Sequence, residues 1–337
     1  MSTPLVRFGR LRTVGALALV SSLALSACSG NDEGGAASRA ASQGTEGDTI
    51  LGARSPLTGL DLASVPGHSV VTVKIDNSGN SAPQVGLGDA DLITEELVEG
   101  GITRLAVSYY SHIPKEVGPV RSMRATDIGI VKPLGATLVA SGGAPVTVRR
   151  IHAAGIKTVT EGGPGYYRRT DRSAPYNLFN RLPELVKTLP DADPVPPYLP
   201  FGSDALPKGV PATGLTAVFS GGSSSAWQLR DGKYVNTDSF AASGEQFTPD
   251  TVLVLRVRVG DAGYLDPAGN PVPETKFTGT GPAMVFHDGR LVRGTWSKDG
   301  LDADITLKNA KGALQLPPGK VWIELVPVNG GNVTVTR

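Results

Sequence analysis

The hydrophobic pattern changes character a little past the middle of the chain. In the first part, apolar runs of strand type alternate with segments of helical spacing. Val70-Val71-Thr72-Val73-Lys74-Ile75 is a β-branched run ending at Asp76-Asn77, which predicts a strand and then a turn. Arg104 to Ser111 predicts a second strand, and Thr137-Leu138-Val139-Ala140 a short buried one that runs into Ser141-Gly142-Gly143. Met123, Ile128, Val131 and Leu134 recur at helical spacing, with Pro133 ending the helix. Val146 to Ala153 predicts another helix, stopped at Gly155, and Leu182 to Leu189 a third with Pro183 in its first turn. Strands alternating with helices predict an α/β (or α+β) N-terminal domain over residues 55–190.

Asp191-Ala192-Asp193-Pro194-Val195-Pro196-Pro197 interrupts both patterns, because proline lacks an amide donor and stiffens the chain. Residues 191–214 therefore read as a Pro-rich linker, and the two folded regions are expected to be separable near Asp191 to Pro200. From residue 215 to 337 short strands dominate: Val218-Phe219-Ser220, Thr251 to Val259, Ala283 to Phe286, Leu291 to Trp296, Ile305 to Leu307, Val321 to Val326 and Val333 to Thr336. Turns such as Asp288-Gly289 separate them, and Asp-Gly between apolar runs is a strong hairpin signal. A mainly antiparallel, all-β C-terminal domain is the expectation.

The first residues read as an address. Arg7, Arg10 and Arg12 precede an apolar stretch, Val14 to Ala27, that falls short of the roughly 20 residues a membrane-spanning helix needs. Leu25-Ser26-Ala27-Cys28 resembles the lipobox of bacterial lipoproteins, and the sole cysteine of the chain sits at the position that becomes lipidated. By that resemblance residues 1–27 are a signal peptide, and Cys28 carries a diacyl anchor, palmitate being a typical acyl group. Residues 28–54 then form the anchor and a Ser/Gly/Ala-rich tether. With Cys28 lipidated no disulfide is possible within the chain, so burial alone must hold the exported part together. The protein is thus expected on the extracytoplasmic face of the cell membrane.

A net charge of +1 gives no basic face for neutralising phosphates, which argues against nucleic acid as a partner. Gly and Pro together make up about a fifth of the chain, below the ~25–30% associated with disorder, so they mark turns in a folded protein. Against this even background the stretch Glu95-Glu96-Leu97-Val98-Glu99-Gly100-Gly101-Ile102-Thr103-Arg104 stands out. It fits a helix from Ala90 to Glu99 capped by Gly100, or a hairpin turning at Gly100-Gly101. The hairpin is preferred, because on the helix the glutamates would repel at adjacent turns. A two-residue turn would set Leu97 opposite Arg104 and Glu96 opposite Leu105, with Glu95 diagonal to Arg104. In either structure carboxylates cluster near Arg104, which alone could be no more than a solvated edge of pairs worth ~0–1 kcal/mol each.

The neighbourhood adds weight to a polar site. Arg121 and Arg124 follow Gly118-Pro119, with Asp127 beyond, and guanidinium forks suit carboxylate or phosphate groups. Further on, Tyr166-Tyr167-Arg168-Arg169-Thr170-Asp171-Arg172-Ser173-Ala174-Pro175-Tyr176-Asn177 interleaves aromatic, basic and acidic residues, a pattern for a ligand with flat and anionic parts or for an ordinary polar loop. The candidate ligand-binding set is Asp76, Asn77, Glu96, Glu99, Arg104, Arg121, Arg124, Asp127, Arg168, Arg172 and Asn177.

Several of these motifs, in order along nearly all of the mature chain, resemble the YerB-like bacterial lipoproteins. Ser55-Pro56-Leu57-Thr58-Gly59, Asp76-Asn77, Glu95 to Arg104, Gly118 to Arg124 and Arg172 to Asn177 look like that family's first domain. Phe286-His287-Asp288-Gly289, Gly294-Thr295-Trp296 and Pro318-Gly319-Lys320-Val321-Trp322-Ile323 look like its second. The resemblance implies a surface lipoprotein of two domains and little about chemistry. One departure is Tyr176, where the family usually has a histidine after Ala-Pro; a mechanism relying on that histidine would be absent here.

Catalytic signatures are weak. There is no G-x-S-x-G elbow and no H-E-x-x-H motif, and His68, His112, His152 and His287 lack metal-ligand spacing, so neither a metal nor a cofactor is expected. A carboxylate pair built on Glu96, with Glu99, Asp76 or Asp127, could hydrolyse a glycosidic bond, but nearby arginines favour the ionised form and work against the raised pKa of a general acid. The sequence therefore favours a membrane-anchored binding or scaffold protein of the cell envelope, recognising an anionic peptidoglycan-related ligand or a partner protein. The alternative is a peptidoglycan-hydrolysing enzyme. A Cys28→Ala substitution is expected to abolish membrane attachment, and retention in the membrane fraction after a high-salt wash would place the anchor elsewhere.

Overall fold

The computed structural model describes residues 53–190, 195–203 and 205–337. The leader, Cys28 and most of the tether, like residues 191–194 of the Pro-rich stretch, lie outside the described residues. The described residues form one compact unit.

The first region contributes β1 (Val71–Asn77), β2 (Leu92–Leu97), β3 (Thr103–Tyr109), α1 (Asp127–Val131), β4 (Thr137–Val139), α2 (Pro145–Ala153), β5 (Thr158–Val159), β6 (Tyr166–Arg168), β7 (Leu178–Asn180) and α3 (Leu182–Val186). The second contributes β8 (Val210–Pro211), β9 (Gly214–Ser220), β10 (Ser223–Arg230), β11 (Lys233–Asn236), β12 (Thr251–Leu265), β13 (Pro271–Lys276), β14 (Gly279–His287), β15 (Arg290–Lys298), β16 (Thr306–Asn309), β17 (Gly312–Ala313), β18 (Val321–Pro327) and β19 (Asn332–Thr336). The first region is thus a mixed sheet with a few helices, and the second is made of mainly antiparallel strands.

The two regions share a sheet. Its order is β17-β16-β15-β14-β12-β18-β2-β3-β1-β4-β5, with β13 and β8 attached to β12 and β15. The joint is a parallel pairing of β18 with β2, in register from Val321 opposite Leu92 to Leu325 opposite Glu96. A second sheet, β11-β10-β9-β19, lies over one face, and α1 and α2 lie over the other. Side-chain alternation sorts the core accordingly. Leu92, Ala106, Ile323 and Leu325 pack with Ile128, Ile130 and Ile151 on the helical side, whereas Ile93, Leu105, Val107 and Trp322 pack with Leu215, Phe219 and Trp227 on the other. Because β1, β2, β3 and β18 are covered on both faces, they read as nearly continuous buried runs.

The stretch expected to be a linker is built into this body. Tyr198 and Leu199 are buried. The Tyr198 amide donates to the Pro56 carbonyl, the Ile305 amide to the Tyr198 carbonyl and the Leu316 amide to the Pro200 carbonyl, so this segment is bonded to both regions. Proline removed amide donors there, but the carbonyls and the intervening apolar pair remained to be satisfied.

Two local expectations shift. The hairpin forms, but its connection is a 3-10 turn over Glu99–Gly101, closed by the Val98 amide on the Ile102 carbonyl, with Gly100 and Gly101 at φ of 71° and 72°. The extra turn residue slips the register by one, so Glu96 stands opposite Arg104 and Leu97 opposite Thr103. The helix expected over Met123 to Leu134 shrinks to α1, because Arg121 to Met123 run extended between other elements. The Arg121 amide donates to the Lys74 carbonyl, and the Met123 amide to the Gly142 carbonyl. The Arg124 amide then donates to the Asp127 carboxylate at 2.7 Å, which holds this turn outside the helix.

A shared sheet and shared cores predict one cooperative transition for residues 53–337. Calorimetric and van't Hoff enthalpies of unfolding should agree, and two resolved transitions would show that the halves melt independently.

Candidate functional site

Alternation along β1, β2 and β3 delivers polar residues to both faces of the sheet near the hairpin end. On the helical face, Lys74 is fully buried. Its ammonium lies 2.5 Å from Glu96 Oε1 and 2.7 Å from Asp127 Oδ1. Burial alone would lower the lysine pKa, but the charges of Asp127 and Glu96 outweigh it and raise the value. Burial raises Glu96, and Lys74 only partly opposes this. An isolated buried charge costs several kcal/mol, so the three groups are tolerable only as a set. Lys74 was not among the sequence candidates. Its signal was present, as the one cation inside a β-branched run.

Toward the open end of the same face lie three guanidiniums. Arg104, buried, donates from Nη2 to Glu99 Oε1 at 3.0 Å and from Nη1 to the Ser122 carbonyl at 3.0 Å. Arg124 donates from Nε to Glu99 Oε2 at 2.8 Å, from Nη2 to Glu99 Oε1 and from Nη1 to the Met123 carbonyl. One carboxylate thus serves two arginines. Burial would raise the Glu99 pKa, but hydrogen bonds from Arg124 and the charges of Arg104 and Arg124 bring it down to about 2. Burial, with Arg124 adding repulsion, lowers Arg104 to about 10. The third guanidinium, Arg121, is pinned through Nε to Asp76 Oδ2 at 2.8 Å and lies 5.4 Å from the Tyr176 ring centroid. Its two terminal nitrogens find no acceptor among the described residues. Asp76, fully buried, is oriented in turn by the Ser78 amide.

Beside Arg124 opens a cavity of about 480 Å³, walled by Ser122, Ser141, Gly142, Pro145 at the start of α2, and Tyr264. The Ser141-Gly142-Gly143 turn is held there by the Met123 and Ser141 amides, which bond to Gly142 and Arg121 carbonyls.

The opposite face carries a second polar group, which takes Glu95 away from Arg104, where the sequence set it, and adds Glu324, which sequence reasoning did not single out. Glu95 and Glu324 stand side by side in the parallel β2–β18 register, both buried. Glu95 accepts from Thr103 Oγ1 at 2.7 Å, Asn77 Nδ2 at 3.0 Å and Ser225 Oγ at 2.8 Å. Glu324 accepts from Trp227 Nε1 at 2.8 Å. Burial raises both carboxyls, and for Glu324 the neighbouring Glu95 raises it further. Two adjacent carboxyls out of water repel each other when charged, which disfavours ionisation of both.

The remaining candidates are dispersed. Asn77 faces this second group, bonding Glu95 and Thr103. Arg168 is exposed on the β6–β7 hairpin, where it bonds Glu161 and Asn177. Arg172 donates to the Ser81 and Pro83 carbonyls and so tacks the loop down. Of this loop Tyr176, whose ring centroid lies 5.4 Å from the Arg121 guanidinium, meets the central arginines. Glu96 and Asp127 serve Lys74 rather than the guanidiniums.

Two family models match the chain in the same order as the two regions. Residues 57–194 match the N-terminal domain, and residues 215–323 the C-terminal domain, of a protein of unknown function named DUF3048. The chain belongs to the DUF3048 family. YerB of Bacillus subtilis strain 168, whose name marks it as a candidate lipoprotein, is 25% identical to the chain over 299 residues, covering 83% of this chain and 88% of YerB. The crystal structure of YerB from Bacillus subtilis superposes with a TM-score of 0.70 at 20% identity, covering 84% of this chain and 99% of that one. The two proteins therefore share a fold. The two domains named by the family models are, in this member, halves of one sheet.

The Glu99 pKa sets a measurable pH dependence. A carboxylate held near 2 against an ordinary 4.5 contributes stability that is present above 4.5 and lost as pH falls toward 2. The contribution is about 3 kcal/mol. The unfolding free energy of Glu99→Gln should fall below that of the unsubstituted protein at pH 6 and converge with it near pH 2, measured by urea melts at stepped pH. A constant difference across that range would assign the carboxylate no special ionisation.

Proposed function

We propose that this DUF3048 protein is a lipid-anchored binding or scaffold protein on the extracytoplasmic face of the cell membrane. In this reading its guanidinium group recognises an anionic part of a peptidoglycan-related ligand or of a partner protein in the cell envelope. The observation that carries the proposal is the state of Arg121. Its Nε is fixed by a buried aspartate and its guanidinium lies 5.4 Å from the Tyr176 ring centroid, while its terminal N–H groups have no acceptor among the described residues. A fork held this way meets a carboxylate or phosphate with little further ordering, and it can do so bidentately. Arg124, sharing Glu99 with Arg104, adds positive potential at the edge of the neighbouring cavity. The lipobox resemblance at Cys28 and the candidate-lipoprotein name of YerB support the anchored location.

Hydrolysis finds less support. Glu99 stays ionised to about pH 2 and cannot serve as a general acid near neutrality. Glu96 and Asp127 are sealed, with fully buried side chains. A glycosidase needs a water and a substrate oxygen between its carboxyls, and the space between this pair is occupied by the Lys74 ammonium.

Peptidoglycan fragments and a lipid-linked precursor serve as test ligands. Arg121→Lys is expected to weaken binding by roughly 10- to 150-fold, corresponding to ~1.5–3 kcal/mol for a charge-assisted hydrogen bond. Arg124→Lys should act in the same direction and also lower the melting temperature, because it gives up bonds to Glu99 and the Met123 carbonyl, whereas Arg121→Lys should keep its melting temperature. Glu96→Gln should leave affinity alone. Normal binding by both lysine variants would make these arginines structural, and fragment release that disappears in Glu96→Gln would establish the hydrolase instead.

A further inference from the structure

Behind the β1–β3 end, on the face away from the arginines, the main sheet and the smaller β11-β10-β9-β19 sheet leave a cavity of about 240 Å³. Its chemistry differs from that of the arginine site. Among the described residues no lysine or arginine lines it, and Asp238 is the one ionisable side chain that does. The walls are otherwise amides and hydroxyls, from Asn77, Gln84, Ser223, Ser224 and Asn236, set against apolar surface from Ile102, Phe240 and Trp322.

The polar groups are held in place and incompletely used. Gln84 is 1% exposed, and its Nε2 donates to the Asp76 carbonyl at 2.8 Å and to Asn77 Oδ1 at 3.0 Å. That fixes the carboxamide, whose Oε1 then accepts nothing among the described residues. That oxygen is open to the cavity and stands there as a fixed acceptor. On the opposite wall, Asn236 Oδ1 accepts from the Asp238 amide at 3.0 Å, which leaves its Nδ2 as a donor into the cavity. Asp238 Oδ1 accepts from the Ala226 amide at 2.9 Å, which leaves Oδ2 as an acceptor. A register shift between Ser223 and Ser224 marks a bulge at the start of β10, and a bulge re-aims side chains where a strand borders a site. Both serine hydroxyls are without partners among the described residues. Ser225, next in line, is engaged on Glu95.

The geometry points to a second binding site, for a neutral polyhydroxylated ligand of one ring, a monosaccharide unit. An anion is disfavoured because no cation lines the cavity and Asp238 would repel it. A cation is disfavoured because, among the described residues, Asp238 Oδ2 is the one carboxylate oxygen free to meet it and the rest of the lining is neutral. What the walls offer is a mixture of fixed donors and acceptors around an apolar patch, which matches hydroxyls that both give and receive hydrogen bonds around a ring with an apolar face. The volume is below the ~300–1,000 Å³ of sites for drug-sized molecules, so one ring fits and a longer chain would have to project outward. Because this cavity and Arg121 lie on opposite faces of β1, the two sites can be occupied independently.

Saturation-transfer NMR tests the site with glucose, galactose and N-acetylglucosamine at millimolar concentration, using phosphate and ethylammonium as charged competitors. At least one sugar should receive saturation, and neither competitor should displace it. Ser224→Trp places a bulky side chain at an exposed position of the cavity wall and should abolish the signal without changing the melting temperature. Asn236→Ala should weaken binding about tenfold, and Arg124→Lys should leave it intact. The proposal fails if none of the three sugars binds, if binding survives Ser224→Trp, or if a charged competitor removes it. Loss of sugar binding in Arg124→Lys would also overturn it, by tying the sugar to the arginine site.

Discussion

Parallel pairing of β18 with β2 is the constraint from which the other features follow. It brings a strand from near the end of the chain into the centre of a sheet begun near its start. It also turns β2 from an edge into an interior strand, covered above and below. Any charge on β2 must then be satisfied by protein groups. Glu96 is satisfied by Lys74, and Glu95 by Thr103, Asn77 and Ser225. The cost of leaving either carboxylate unpaired, several kcal/mol, exceeds what one exposed ion pair contributes. The buried polar groups are thus consequences of the topology as much as candidates for function.

Consecutive residues at the end of β1 show how a single strand can serve two sites. Asp76 points to the helical face and orients Arg121, while Asn77 points to the other and bonds Glu95. A period of two makes adjacent positions strangers to each other, so cationic and neutral surfaces can develop a strand's thickness apart. Gln84 binds the two together, since it donates to the Asp76 carbonyl and to the Asn77 side chain.

Much of this was legible in the sequence where the signal was local. The β-branched run ending at Asp76-Asn77, the hairpin at Gly100-Gly101 and the helix before Gly155 all depend on neighbours within a few residues, and all appear. The hairpin register depended on whether the turn used two residues or three, and composition does not decide that. Lys74 was readable as an anomaly, but its partner Asp127 is supplied by a different element, α1. Glu324 was the same kind of anomaly in β18, and its neighbour Glu95 comes through a parallel pairing, which leaves no turn signature between the strands. The interleaved Tyr/Arg loop carried a strong compositional signal, yet most of its arginines satisfy one another's neighbours at the surface. Proline spacing around residue 195 suggested a spacer, and the Tyr198-Leu199 pair inside it was the sign that the segment packs.

The position of β18 also bears on how the molecule is made. A chain emerging from its N-terminus presents β2 long before its partner exists. At synthesis rates of ~5–20 residues per second, that strand waits on the order of ten seconds or more with one row of amides and carbonyls open. An open strand edge is a template for pairing with other chains. The charges at Glu95 and Glu96, costly once buried, are useful during that wait, because two adjacent carboxylates on a bare edge discourage a stranger from docking there.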